Sequence, residues 1–447
     1  MLEELFPKAV LNRMTWVSNL KGRQIGSSGA AKCCESIYVV AKNPDSSPSL
    51  YGYISTLKKL MPSTYKGFDY KVLSDQYGPY VIKNELYNSN SAFNEETRPS
   101  LIFDIGWNPV TGEVLTRDLN EALPDGFIRI SPHKNNDGLH KFHAFRWSRT
   151  KVDAEWQNLH FEQTDADAAK VFTKVRDFDL TTLKDLFTDV STSTGVQDFS
   201  SLFNGVSYFE YAKPINLIQV LIDACTEEED IVLDFFSGSA TTAQAVFNSE
   251  IARRRSLRFI MVQLPEVLDA KSRAYKDGFS TICEIGEERI RRAGDKVKVE
   301  LEASNRQIRL GDEPKQLPDI GFRVFKLDDS GIQKPEPGQL LVDCVKPDRS
   351  DLDIVFEMML KWGLELTLPV EKKGLAGYPC YTVAYGELVC CLAPGLTTDA
   401  LEAIAEIEPR RVLMLDSILD DSLKLNAVQI FKRVEERTGR EVELRTV

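Results

Sequence analysis

Ile231-Val-Leu-Asp-Phe-Phe-Ser-Gly-Ser-Ala-Thr-Thr-Ala-Gln-Ala-Val-Phe247 decides the fold. Its first six residues are an apolar run of the kind that forms a buried parallel strand. Asp234 places an acid at the end of that strand. A turn of small residues, Ser237-Gly-Ser-Ala240, comes next, and from Thr241 the apolar residues return at helical spacing. Working outward, Leu217-Ile-Gln-Val-Leu-Ile-Asp-Ala224 has the spacing of a helix feeding the strand. Arg258-Phe-Ile-Met-Val-Gln263 is a second buried strand. Thr281 to Ile290 is an amphipathic helix, and Lys296-Val-Lys-Val-Glu300 alternates like a short strand. Strand, helix, strand, helix, strand predicts a doubly wound α/β sheet.

The turn carries the chemistry. Small residues let the backbone approach a ligand closely. The N-terminus of the following helix favours a carboxylate or phosphate. An acid at the strand tip binds an ammonium. S-adenosylmethionine offers a carboxylate, an ammonium and an adenosine, so the candidate pocket is Asp234, Phe236, Ser237, Gly238, Ser239, Thr241 and Thr242. No Gly-Lys-Ser/Thr succeeds the turn, and no GxGxxG fingerprint is present. The plainer alternative is a tight strand-to-helix turn in an unrelated α/β protein. Glu266, in Gln263-Leu-Pro-Glu266, ends the second strand, where an acid accepts bonds from ribose hydroxyls; otherwise it is a solvated loop glutamate. Phe209, Lys213 and Pro214, in Phe209-Glu-Tyr-Ala-Lys-Pro214, either complete the pocket or simply begin a helix with proline near its first turn.

Composition sets limits. The 447 residues are 43% hydrophobic and 27% charged, which excludes a disordered tail, a collagen-like rod and a coiled coil. No run approaches the ~18 apolar residues of a membrane span, and Met1-Leu-Glu-Glu4 is not a basic signal region. Eight scattered cysteines with no CxxC read as thiols in a reducing cytoplasm rather than a disulfide frame or a zinc site. The vicinal pairs Cys33-Cys34 and Cys390-Cys391 read as buried small hydrophobes. The net charge is −12, yet residues 1–150 hold 18 Lys+Arg against 15 Asp+Glu, so any nucleic-acid contact is expected in that third.

The first part of the chain is punctuated by turn clusters at 43–48, 108–112 and 131–138, with strands expected at Ile37–Ala41, Leu101–Phe103 and Gly126–Ile130 and helices around 150–176 and 181–188. Its sharpest stretch is His140-Lys-Phe-His-Ala-Phe-Arg-Trp-Ser-Arg149. Lys141, Arg146 and Arg149 are candidate phosphate contacts there, although Phe and Trp more often form core. His140 and His143 read as a polar loop, with no metal ligand set beside them. Arg253-Arg-Arg255 reads as a solvated loop, with phosphate contact the alternative. Beyond a charged segment at 301–319, the tail reads as a separate α/β unit: a helix near 351–362, a hairpin at Cys380–Leu392, a strand at Arg411–Leu415 and a helix at 420–436.

The order Phe-x-x-x-Lys-Pro, helix, Asp-x-Phe-x-Gly-Ser-x-Thr-Thr, helix, Phe-Ile-Met-Val-Gln-Leu-Pro-Glu resembles the modification (Mod) subunit of type III restriction–modification systems, which are β-class amino DNA methyltransferases. Gly278–Ala293, Asp319–Leu327, Asp420–Phe431 and Cys34–Asn43 extend the resemblance along most of the chain. It implies a Rossmann-like S-adenosylmethionine-dependent methyltransferase sheet, incomplete on its N-terminal side, with a C-terminal α/β domain. It implies S-adenosylmethionine as donor, adenine N6 of double-stranded DNA as acceptor, a Mod homodimer and a restriction (Res) partner. The domains expected are 1–45, the remainder of the catalytic half; 46–200, target recognition; 201–305, cofactor binding; and 320–447, the C-terminal domain.

The chain departs from the family in one decisive place. The catalytic Asp/Asn-Pro-Pro-Tyr/Phe motif grips the amine of a flipped base, and no Pro-Pro pair occurs here. No catalytic residue is assigned. The expectation is a fragment whose catalytic loop is encoded separately, or else an inactive DNA-recognition or partner-docking module. Ala240 replaces the family's usual glycine, which is harmless in a helix and costly at positive φ.

Overall fold

The computed structural model describes residues 2–19, 31–43, 50–307, 314–333 and 345–446. From residue 44, the turn cluster at 43–48 lies outside the described residues. The chain divides into two compact units, Met1–Ile320 and Gly321–Val447.

The first unit opens with two long strands. Val10–Val17 (β1) and Cys34–Ala41 (β2) pair antiparallel, from Val10 opposite Ala41 to Val17 opposite Cys34. Leu186–Phe187 (β3) joins parallel to β1, giving the order β3-β1-β2. Between β2 and β3 the chain builds a mostly β lobe. Leu73–Asp75, Gly78–Glu85, Ala168–Val175 and Leu159–Asp165 form a four-stranded sheet, and Val114–Arg117, Asp104–Trp107 and Ile128–Ile130 a three-stranded one. Leu86, Phe103, Ile105, Ile130, Phe145, Val152, Leu159 and Val171 make their common core.

Three sequence expectations fail in this part of the chain. The helix around 150–176 is only Arg149–Glu155, capped by Ser148; a β-hairpin comes after it, turning at 166–167. Leu159 and Phe161, with Ala169 and Val171, enter the core at a spacing of two, which is strand periodicity. The segment at 181–188 is not helical either, because its residues are used in ladders with Tyr51–Tyr53 and β1. The strand expected at Leu101–Phe103 begins instead at Asp104, after a short 3₁₀ turn over Pro99–Leu101.

Helices Thr192–Leu202 (α1) and Ile215–Cys225 (α2) lead into strand Ile231–Asp234 (β4), helix Thr241–Arg253 (α3) and strand Arg258–Met261 (β5). β4 and β5 are parallel, from Ile231 beside Arg258 to Asp234 beside Met261. Helix α2 is apolar on two sides. Leu217 and Val220 pack with Met14 and Trp16 of β1, while Ile215 and Ile222 pack with Ala245 and Val246 of α3. It therefore joins the β1–β2 half-sheet to the β4–β5 half-sheet.

The strand expected at 296–300 does not exist. Those residues continue helix Ile282–Asn305 (α4). Ile290, Ala293, Val297 and Leu301 form one buried helical stripe, and Val299 faces solvent. The alternating Lys-Val-Lys-Val is thus one inward and one outward valine. The doubly wound pattern reduces here to two parallel strands with helices on one face.

The second unit is a five-stranded sheet in the order Val370–Leu375, Tyr378–Val383, Leu388–Cys391, Arg411–Met414, Glu443–Thr446. Helices Thr398–Ala405 and Asp421–Thr438 cover the face holding Cys380 and Cys391. Asp351–Lys361 covers the face holding Cys390. Alternation within a strand sends the adjacent cysteines to opposite cores.

Candidate functional site: a strand tip, a left-handed turn and a buried arginine

β4 ends at Asp234, whose carboxylate organises the turn beyond it. One oxygen accepts the Phe236 N–H at 3.1 Å, and the other accepts the Thr242 hydroxyl at 2.6 Å. The main chain is pinned as well. Val262 N–H donates to Asp234 O at 2.7 Å, Ser237 N–H donates to Val262 O at 3.1 Å, and Gly238 N–H donates to the Gln263 side-chain oxygen at 2.8 Å. The turn enters the left-handed region twice, at Gly238 (φ 48°) and at Ala240 (φ 55°), the N-cap of α3. Glycine takes such angles freely, whereas alanine there costs about 1 kcal/mol. Of the two alternatives for Ala240, the structure has the positive φ. Its buried methyl faces the backbone of Gly286 in α4.

Arg289, on α4, locks this turn from beneath and is absent from the sequence-based candidates. It is fully buried. Its guanidinium donates to Ser239 O (3.0 Å), Ser239 Oγ (3.0 Å), Thr241 Oγ1 (2.7 Å) and twice to Gln244 Oε1 (3.1 and 3.0 Å). Burial pulls its pKa down to about 10, while the Asp198 carboxylate opposes the shift. Burial in turn raises the pKa of Asp198, which accepts the Ile215 N–H at the start of α2. A charged residue on an otherwise apolar helical stripe (Ile285, Arg289, Ile290, Ala293) is the signal that could have found it.

The expected cofactor residues do not all converge. Asp234, Phe236 and Thr242 line one cleft of about 480 Å³, with Ile37–Val40 of β2 and Ile218, Leu221, Ile222 and Cys225 of α2. Ser237 and Gly238 form its neighbouring turn. Ser239 and Thr241 point inward to Arg289, so they present main chain rather than hydroxyls to the outside. Glu266 is exposed beyond β5 and does not line the cleft. Phe209 packs edge-on against Phe199 of α1. Lys213 pairs with Glu35 at 2.8 Å and lies over the Trp16 ring, and Pro214 caps α2. These three tie α2 to its neighbours and lie outside the cleft. Gly195 of α1 is required here, because a Cβ would meet Ala212 O at 1.9 Å.

Two loop readings change. Arg253 and Arg255 are not solvated: both bind the buried Asp223 carboxylate of α2, at 3.1 and 3.4 Å, and Arg255 also binds Ser249. Arg253 additionally reaches Thr56 and covers the Tyr53 ring. Cys33 and Cys34 are not buried; their sulfurs lie 3.6 Å apart at the surface.

In the lobe, Lys141 is exposed, Arg146 donates to Tyr87 O, and Arg149 pairs with Asp118. Phe145 is core, packed on Phe103. His140 bonds Asp137, which keeps the imidazolium favoured and raises its pKa. Among the described residues no His, Cys, Asp and Glu cluster has the makings of a metal site, and no helix is long and apolar enough to cross a membrane.

Comparison with known proteins fits this strand-tip architecture. Residues 7–295 match the DNA methylase family. The chain is 26% identical over 414 residues to the EcoPI Mod subunit of Escherichia phage P1, a type III restriction–modification enzyme, covering 88% of this chain and 58% of that protein. It is 30% identical over 250 residues to the EcoP15I Mod subunit of Escherichia coli, covering 53% of this chain and 35% of that one. Against the StyLTI Mod subunit of Salmonella typhimurium it is 35% identical over 138 residues, 30% of this chain and 19% of that protein. The chain thus spans less than two thirds of the length of each of these relatives. With the family match running from before β1 into α4, across both half-sheets and the Asp234 turn, the chain belongs to the DNA methylases, and within them its resemblance is to type III Mod subunits.

Proposed function

We propose that this chain is the cofactor-binding and target-recognition portion of a type III Mod subunit that methylates adenine N6 in double-stranded DNA. The observation that carries the reading is the Asp234 tip: a carboxylate at the end of a parallel strand, then a small-residue turn and the N-terminus of a thirteen-residue helix. S-adenosylmethionine fits this donor and acceptor set. Each Asp234 oxygen accepts one internal bond and retains a lone pair for an ammonium. The α3 N-terminus favours the ligand carboxylate. The exposed Phe236 ring and the exposed Glu266 offer an apolar face and a hydroxyl acceptor to the nucleoside. The cofactor supplies the sulfonium methyl group. This chain's residues bind and orient it.

The grip on the target amine is not among these 447 residues, since they contain no Asp/Asn-Pro-Pro-Tyr/Phe. We assign it to the part of a Mod subunit that these residues do not span. A Mod homodimer and a Res subunit complete the assembly, and the 46–200 lobe reads the DNA, with Lys141 its most accessible candidate cation. Calorimetry tests the pocket. Asp234→Asn keeps the shape of the side chain and removes its charge. Loss of a charge-assisted bond predicts S-adenosylmethionine affinity lower by about 30-fold or more. Equal affinity for wild type and Asp234→Asn would sink the assignment. The chain alone is expected to methylate DNA no faster than background.

A further inference from the structure

The lobe between β2 and β3 has a cleft of its own, of about 440 Å³, which shares no residue with the one at Asp234. That volume falls in the range of small-ligand sites, roughly 300–1,000 Å³. It lies at the seam of the lobe's two sheets, where Trp107 of one stacks on Phe161 of the other, with ring centroids 5.2 Å apart and planes inclined at 11°. Two more rings stand on its walls. Tyr77 is at the turn between Leu73–Asp75 and Gly78–Glu85, and Trp156 opens the 3₁₀ turn Trp156–Asn158. They are 55% and 42% exposed. Indole is highly buried on average, so one left this open on the wall of a cleft offers a stacking surface.

The polar groups among these rings are uncommitted. Gln76 and Gln157 line the same cleft, and neither their carboxamides nor the indole N–H groups of Trp107 and Trp156 have a hydrogen-bond partner among the described residues. A carboxamide sets donors beside an acceptor, as the edge of a nucleobase does. His160 adds a ring nitrogen, and burial pulls its pKa down, so the imidazole is neutral. The charge is one-sided. The Asp75 carboxylate accepts Lys174 Nζ at 2.7 Å, the Arg176 guanidinium twice at 3.0 Å and the Tyr77 N–H at 3.0 Å. Two cations thus share one carboxylate, and Lys174, which lines the cleft, keeps N–H donors to spare. That surplus repels a metal ion or a quaternary ammonium and attracts a phosphate.

From these rings, amides and surplus charge, we infer that the cleft is a nucleotide site, which takes one unstacked base against Tyr77 and Trp156, reads its edge with Gln76 and Gln157 and holds its phosphate at Lys174. The nucleotide has two sources: a DNA strand, which must first extrude the base from its stack, or a free nucleotide. The DNA source rests on the proposed function, in which this lobe reads DNA. A base held here is a second one, apart from the adenine that receives the methyl group. A proline-rich peptide also docks on aromatic rings. It brings no phosphate for Lys174, and its proline residues offer the two carboxamides acceptors only.

The test uses the full chain in two arms. In the first, AMP, GMP, CMP and TMP are titrated separately by ligand-observed NMR. At least one should bind saturably. Trp156→Leu should weaken it about fivefold or more, the low end of what one base–aromatic stack contributes, and Trp156→Phe, which keeps a ring, should stay within about twofold of wild type. Gln157→Ala should change the order of preference among the four. In the second arm, fluorescence anisotropy compares a flush DNA duplex with one carrying a single bulged base. If DNA supplies the base, the bulged duplex binds about fivefold tighter or more, and Trp156→Leu removes that advantage while binding the flush duplex as before. Nucleotide binding without a bulge advantage supports the site with a free nucleotide as its source. The inference is overturned if no nucleotide binds and the bulge gains nothing, if Trp156→Leu matches wild type in both arms, or if a decaproline peptide shifts the Trp156 resonance and no nucleotide does. The two proposals fail separately. A flush duplex that binds with no bulge advantage and no nucleotide binding leaves the lobe's reading of DNA standing without this site, whereas nucleotide binding with no duplex binding does the opposite.

Discussion

Replacing Arg289 by methionine tests what holds the Ser237–Ala240 turn in shape. The substitution keeps a long flexible stem and removes five hydrogen bonds to Ser239, Thr241 and Gln244, all of which are buried. Each buried acceptor left unsatisfied costs about 1–3 kcal/mol. The Ser239 and Thr241 hydroxyls still bond one another at 3.1 Å, which returns part of that. Removing the guanidinium also relieves its own desolvation. The net expected loss is about 4 kcal/mol. For the unit spanning Met1–Ile320, an unfolding entropy of about 0.7 kcal/mol/K converts this to a fall in Tm of about 6 °C. Arg289→Lys retains the charge without the fork and should lose roughly half as much. Differential scanning calorimetry of the full chain reads both, with Gly321–Val447 as an internal reference transition. The turn should loosen with the fold, so S-adenosylmethionine affinity should drop in the methionine variant even at temperatures where it is folded. A methionine variant melting within 1 °C of wild type with unchanged cofactor affinity would refute the reasoning.

Two other outcomes are expected in the same region. Ala240 occupies a left-handed angle, so Ala240→Gly should be at least as stable as the parent, whereas the β-branched Ala240→Val should lose more than about 2 kcal/mol; urea unfolding decides, and a tolerated valine would contradict the left-handed turn. Glu250 of α3 is held by burial at a pKa of about 7, above the usual 4.5. A carboxyl whose folded pKa is raised holds its proton more tightly when folded. Its destabilisation is therefore absent below pH 4.5, grows as pH rises toward 7 and levels off above, reaching on the order of 3 kcal/mol. Glu250→Gln should flatten stability between pH 5 and 8, and an unaltered pH profile in that variant would remove the assignment.

Much of this architecture is legible in the sequence because it is local. The β4 strand, its acid, the small turn and the start of α3 are set by about seventeen consecutive residues, and the structure keeps that order. The misread elements depend on packing from afar. Val297 and Val299 alternate like a strand, yet the stripe from Ile290 through Leu301 fixes them in a helix. The hairpin of Leu159–Asp165 and Ala168–Val175 gains its identity from the Gly78–Glu85 partner, about ninety residues earlier. Arg253 and Arg255 look like loop charges until Asp223 is brought beneath them by α2. Motif order groups Lys213 with the pocket, but Glu35 and Trp16, supplied by the first half-sheet, determine where it points. The apolar runs of β4 and β5 read as strands buried on both faces, and that is what their composition suits; the structure covers only one.

The anchors of the Asp234 turn lie on the covered side of the β4–β5 ladder, and their positions decide which substitutions reach it. α2 buries apolar residues against both half-sheets, so the gap between them does not leave either one unsupported. The Asp223 network ties α2 to α3 and to Thr56 on the same covered side. Arg289 fastens the Ser237–Ala240 turn through α4 rather than through the bare face. The contacts that shape the Ser237–Ala240 turn thus come from behind β4 and β5 or from the strands and the residues that end them. Substitutions on the half-exposed Ile231, Leu233 or Ile260 should leave the turn intact. Substitutions at Arg289, Gln263 or Asp234 should disturb it.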